Sequence, residues 1–129
     1  QRQMCIRDRV WHSSLQPRSA YPEEVADTQK ENHTFDPKTQ LPNGGSPTFG
    51  LLTAHADYAK YLPHFLSYFV PATSLGGVES LIEQRVIASP DTDPRLIRIS
   101  VGLEDSEDLR NDLLQAMLAT LQYVRSQSP

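Results

Sequence analysis

Two short stretches hold the residues best suited to chemistry. Ser74-Leu75-Gly76-Gly77 places a hydroxyl ahead of two glycines, where a ligand has room to approach the backbone. Arg98 stands in the middle of "RLIRISV", on the opposite face of the alternation from Ile97, Ile99 and Val101. A guanidinium is a planar fork of donors that matches a carboxylate in two parallel hydrogen bonds. On a strand rather than a loop, such a fork keeps one geometry. Each feature has a plainer reading when taken alone. Ser74 to Gly77 then forms a turn between a helix and the next strand, and Arg98 is an arginine on a solvated sheet face.

Other constellations are weaker. His12, His33, His55 and His64 lack metal-ligand spacing with one another or with Cys5. Asp91 and Asp93 open like a calcium loop, but its glycine and closing glutamate are missing. There is no phosphate-binding loop, no G-x-G-x-x-G and no G-x-S-x-G. The adjacent acids Glu23-Glu24 and Glu104-Asp105 read as solvated surface or helix cap.

The elements that must position Ser74 and Arg98 follow from periodicity. "VWHSSL" from Val10 and "TFGLLT" from Thr48 read as strands. In "AHADYAKYLPHFLSYF", Tyr58, Leu62, Phe65 and Phe69 share a helical face, which Pro63 interrupts. "VESLIE" is strand-like, with Val78, Ser80 and Ile82 on one face, and "RLIRISV" is the clearest strand. Asp105 caps a final helix over 106–125, about 30 Å long, with Glu107 and Asp108 at its positive end. Leu109, Leu113, Met117, Leu121 and Val124 make its apolar stripe. The predicted fold class is α+β: a small, antiparallel-rich sheet with helices on one face. The polar, proline-rich segment 16–47 reads as a long loop, with a helical turn at "PEEVADTQ" and a "PNGG" turn at 42–45.

Composition bounds the function. The chain has 129 residues, enough for one domain with one modest core. Its net charge of -4 and scattered basic residues argue against nucleic acid. No apolar run approaches the ~20 residues of a membrane span. The single cysteine excludes an internal disulfide and fits a reducing, cytoplasmic setting. Asn32-His33-Thr34 is a glycosylation acceptor pattern that matters only in a secreted protein. The opening "QRQMCIRDR" resembles a translated sequencing-adapter remnant, so 1–9 is set aside as a non-native leader and 10–129 is expected to be one domain.

"ATSLGGVESLIE" followed by "LIRISVGLEDSEDLRNDLLQAM" resembles the C-terminal domain of the Cys/Met-metabolism, or transsulfuration, family of pyridoxal-phosphate enzymes. Both the S-L-G-G-x-E-S-L block and the L-I-R-x-S-V-G-x-E-D-x-E-D-L block occur, in order. The resemblance is strong over 73–117 and extends to 10–15 and "GGSPTFGLL", while 16–40 matches little. It implies the small domain of a fold-type I enzyme. It also implies that Arg98 and Ser74 bind the substrate α-carboxylate and that Ser74, Thr73, Leu75 and Gly76 lie beside the cofactor. The implied partners are a sulfur amino-acid substrate and a large domain of the same enzyme, in a homotetramer. Two departures bear on the reaction. The family's Schiff-base lysine motif is absent, since Lys30, Lys38 and Lys60 lie in no such context, so the chain is expected to be an inactive fragment. Thr73 stands where many γ-active members carry glutamate, which leaves γ-synthase, γ-lyase and β-lyase open. The alternative is a stand-alone, non-catalytic binding module with Leu52, Tyr58, Leu62 and Phe65 as an exposed interface.

Overall fold

The computed structural model describes residues 7–15, 41 and 44–127. The expectations for Cys5, the helical turn near 22–29 and most of the 16–47 loop lie outside these residues. Strands β1 (Arg7–Trp11), β2 (Thr48–Thr53), β3 (Val70–Pro71), β4 (Leu81–Gln84) and β5 (Leu96–Ser100) form one sheet in the order β1-β2-β5-β4-β3. All neighbours are antiparallel except β3 and β4, which are parallel. Helices α1 (Ala56–Tyr61) and α2 (Ser106–Gln127) complete the α+β fold.

One sheet face makes the core. Leu51, Ile82, Ile97 and Ile99 alternate onto it and pack against Ala59, Leu62 and Phe69, and against Leu109 and Ala116 of α2. The helices therefore lie on one face, as the alternation of β5 predicts. Among the described residues no helix is long and apolar enough to cross a membrane.

At the local boundaries one expectation holds and others change. β1 begins at Arg7, three residues inside the stretch set aside as a leader, because Arg7 and Arg9 find backbone partners at Thr53 and Leu52 of β2. Pro63 does restart the helix: α1 ends at Tyr61 and a 3-10 turn, Leu62–Phe65, follows. β4 begins at Leu81, not Val78, and Val78 is exposed. The proposed interface of Leu52, Tyr58, Leu62 and Phe65 is corrected outright. Leu52, Tyr58 and Leu62 are buried and Phe65 packs against the core, so no such exposed face exists.

The "GG" before β2 has a local cause. Gly44 N–H donates to Leu41 C=O at 3.1 Å, with Gly44 at φ 137°, a value that favours glycine. His12 lies against Gly45 and its Nε2–H donates to Ser46 C=O at 3.0 Å, tying the end of β1 to the start of β2.

Candidate carboxylate-binding site

Arg98 sits on β5, the middle strand, on the face away from the core. The row across the sheet reads Trp11, Gly50, Arg98, Glu83. Gly50 contributes no side chain to this row. Trp11 leans over it, 3.4 Å from where a Cβ at position 50 would lie. Arg9 in turn lies over the Trp11 ring.

The Arg98 side chain is only 17% exposed, and a single nitrogen carries its contacts. Nη2 donates to the backbone carbonyls of Thr73 at 2.5 Å and Ser74 at 2.8 Å, and lies 3.1 Å from Glu83 Oε2. Nη1 and Nε bond to none of the described residues, so donors remain for a ligand. Glu83 is more deeply placed, with a side chain 4% exposed. Its Oε2 also accepts from Arg85 Nη1, while its Oε1 has no partner. Two guanidinium charges thus share one buried carboxylate. The cluster carries a net charge of +1, which favours an arriving anion.

The loop that Arg98 touches is pinned to the far end of β5. Gly76 N–H donates to Ser100 Oγ at 2.9 Å and Leu103 N–H to Val78 C=O at 2.8 Å. Glu104 grips Ser80 at two points: the backbone N–H donates to Oε1 at 2.7 Å and the hydroxyl to Oε2 at 2.8 Å. Gly102 N–H donates to the same hydroxyl at 2.9 Å. The backbone N–H of Ser80 is the main reason the Glu104 carboxyl sits below the ordinary glutamate range. The serine-glycine block and the glycine-glutamate block are therefore two halves of one joint.

Two expectations change here. Glu104 is not simply solvated surface, because Ser80 claims both of its oxygens; Asp105 is the helix cap, accepting from Glu107 N–H at 2.9 Å. The glycines at 76 and 77 do not face a close neighbour among the described residues, since a Cβ at either meets nothing within 4 Å. Gly76 is required instead for its φ of 73°. The crowded glycine is Gly102, where a Cβ would lie 2.3 Å from Val78 O.

The structure brings Arg98 to the main chain of Thr73 and Ser74. Ser74 and Leu75 are exposed beside it. A cleft of about 200 Å³ is lined by Lys60, His64, Thr73 and Glu83 among others, and does not include Arg98 or Ser74. Among the described residues no group of three or more His, Cys, Asp or Glu is placed to hold a metal ion.

Residues 21–118 match the family described as Cys/Met metabolism PLP-dependent enzyme. The chain belongs to this pyridoxal-phosphate-dependent family. The match reaches into 16–40, the stretch expected to match little. Among relatives in this family, the cystathionine beta-lyase of Lactococcus lactis subsp. cremoris is 38% identical over 98 residues, covering 67% of this chain and 25% of that protein. The cystathionine gamma-lyase of Sus scrofa is 45% identical over 65 residues, covering 42% of this chain and 16% of that protein. The chain thus spans about a quarter of the length of the first of these relatives. Its fold is similar to cystathionine gamma-lyase from Lactobacillus plantarum complexed with L-serine, with a TM-score of 0.62 at 21% identity over 93% of this chain and 30% of that one. It is similar also to a methionine gamma lyase from Micromonospora echinospora, with a TM-score of 0.60 at 24% identity over 90% of this chain and 28% of that one.

The family cofactor carries an aldehyde that needs a lysine amine. Lys60 is the one lysine among the described residues. Its ammonium lies 5.0 Å over the Tyr61 ring and lines the cleft that excludes Arg98 and Ser74. These residues fit the recognition of a carboxylate. They do not make a cofactor cradle.

Proposed function

We propose that this chain supplies the substrate-carboxylate site of a pyridoxal-phosphate-dependent enzyme of sulfur amino-acid metabolism. The reaction class is β- or γ-elimination, or γ-replacement, on cystathionine, a homoserine ester or a related amino acid. The observation that carries this reading is Arg98: a half-buried guanidinium on the central strand, anchored through one nitrogen, with its other donors unbonded among the described residues. Arg98 holds the substrate carboxylate through those donors. Ser74, whose backbone carbonyl holds the same guanidinium, adds its hydroxyl as a further donor, and Thr73, Leu75 and Gly76 shape the backbone around it. The cofactor, when bound, supplies the electron sink that lets the substrate lose its α-proton. A large domain of the same enzyme holds the cofactor and its lysine, and the assembled enzyme is a cytoplasmic homotetramer.

This reading predicts that Arg98→Ala in the full-length enzyme raises KM for L-cystathionine about 10- to 100-fold, the range set by hydrogen bonds to charged groups of ~1.5–3 kcal/mol. An unchanged KM refutes it. The 129-residue chain by itself, incubated with pyridoxal phosphate and borohydride, yields no stoichiometric lysyl adduct by mass spectrometry. A single saturated lysine would show that the chain holds the cofactor unaided.

A further inference from the structure

We propose that Glu83 is the positioning residue for Arg98. The inference rests on the carboxylate-site reading above and extends it to a residue that does not itself touch substrate. Glu83 faces Arg98 directly in the β4–β5 register, so both side chains rise from the same face of adjacent strands. Its carboxylate is buried, with one oxygen shared by two guanidiniums and the other without a hydrogen-bond partner among the described residues. Such an arrangement is costly for stability alone, because a buried acceptor without a donor loses its hydration uncompensated. Its strand neighbour Leu81 and the β5 residue Leu96 carry apolar side chains on the same face, so an apolar pair at 83 and 98 would pack there more simply. The charge at 83 is explained by what it does to Arg98.

Three partners converge on Nη2 of Arg98: it donates hydrogen bonds to the carbonyls of Thr73 and Ser74 on the loop side and is ion-paired with Glu83 Oε2 on the strand side. Fixing one corner of a planar group fixes the direction of the others. The fork then meets its ligand without first losing side-chain freedom. Arg85 holds the same Glu83 oxygen from its other flank and donates to Ser89 Oγ at 3.3 Å, so the carboxylate is itself anchored.

Charge and positioning predict opposite signs, which makes the test sharp. Removing the negative charge of Glu83 leaves two cations, and Coulomb attraction alone would tighten carboxylate binding. Loss of positioning weakens it. In the full-length enzyme, Glu83→Gln is expected to raise KM for L-cystathionine about tenfold with kcat changed less than threefold. Glu83→Asp, which restores the charge on a shorter stem, is expected to fall between. Glu107→Gln, in an exposed pair with Arg110 at 3.4 Å, is the control and leaves KM unchanged. A KM for Glu83→Gln that is unchanged or lower overturns the inference. Should Glu83→Gln fail to fold by circular dichroism, Glu83→Asp decides: a raised KM supports positioning and an unchanged KM overturns it. Arg98→Ala separates the two claims. If it leaves KM unchanged, the carboxylate-site reading itself falls; if it raises KM while the Glu83 variants do not, only the role of Glu83 falls.

Discussion

Gly102 bears the tightest steric constraint in the joint beside the site. A methyl group there would lie 2.3 Å from Val78 O, 2.5 Å from Glu104 Oε2 and 2.6 Å from the Glu79 carbonyl carbon. Two of these three are backbone atoms, which cannot swing aside. Gly102→Ala is therefore expected to cost ~1–3 kcal/mol, read as a lower denaturation midpoint, because it levers the 76–80 loop off Glu104. A midpoint equal to wild type would show that the loop shifts freely. At this scale the sequence exposes what is local. Arg98 stands out because strand alternation fixes its face, and Gly76 because a serine-glycine run marks a turn. Glu83 and Glu104 do not stand out, because their partners lie 15 and 24 residues away in the chain. Only the pairing of β4 with β5 brings them together.

Helix α2 shows how a polar residue can belong to a core. Its buried positions are Leu109, Asp112, Ala116 and Thr120, whereas Leu113 and Met117 from the predicted stripe are only partly buried. The stripe is rotated toward Asp112 for a reason that hydropathy does not carry. The Asp112 carboxylate accepts the backbone N–H of Ser67 at 2.9 Å and of Tyr68 at 2.8 Å, and the Gln115 amide at 3.0 Å. It thereby closes the chain that leaves the 3-10 turn after α1. Burial pushes its carboxyl up, but those N–H donors outweigh it and leave the group below the ordinary aspartate range. A carboxyl whose folded value is depressed stabilises the fold above its unfolded value, near pH 4, and loses that contribution as pH falls through the folded value. Asp112→Asn is expected to lower stability near neutral pH by ~1–3 kcal/mol and to flatten the acid limb of the stability curve. An unchanged acid limb in thermal melts would show that other carboxylates govern it. Four of the five strands and both helices were readable from periodicity; β3 was not, because two residues, one of them proline, carry no alternation to follow. The break at Pro63 was readable too, but the start of β4 was not, because the hydrogen bonds of the 76–80 loop set it through local geometry.

At the scale of the described molecule, the sheet has one face covered by the helices and one that carries the candidate site. Trp11, the only tryptophan of the chain, lies on the site face and is 41% exposed. Its fluorescence in the 129-residue chain is expected to be readily quenched by acrylamide; resistance to quenching would show that this face is covered. The family was readable from two short blocks because those blocks are the two sides of the joint that holds the loop to β5. β3 gives the sheet one last property. Val70 N–H and Ala72 N–H both point inward, to Ser80 and Ile82 carbonyls, so the intervening residue faces the free edge, and that residue is Pro71. Where the edge would offer a donor to another strand, it offers a ring. Among the described residues, strand addition, the route by which sheets recruit neighbours into aggregates, lacks a donor at that border.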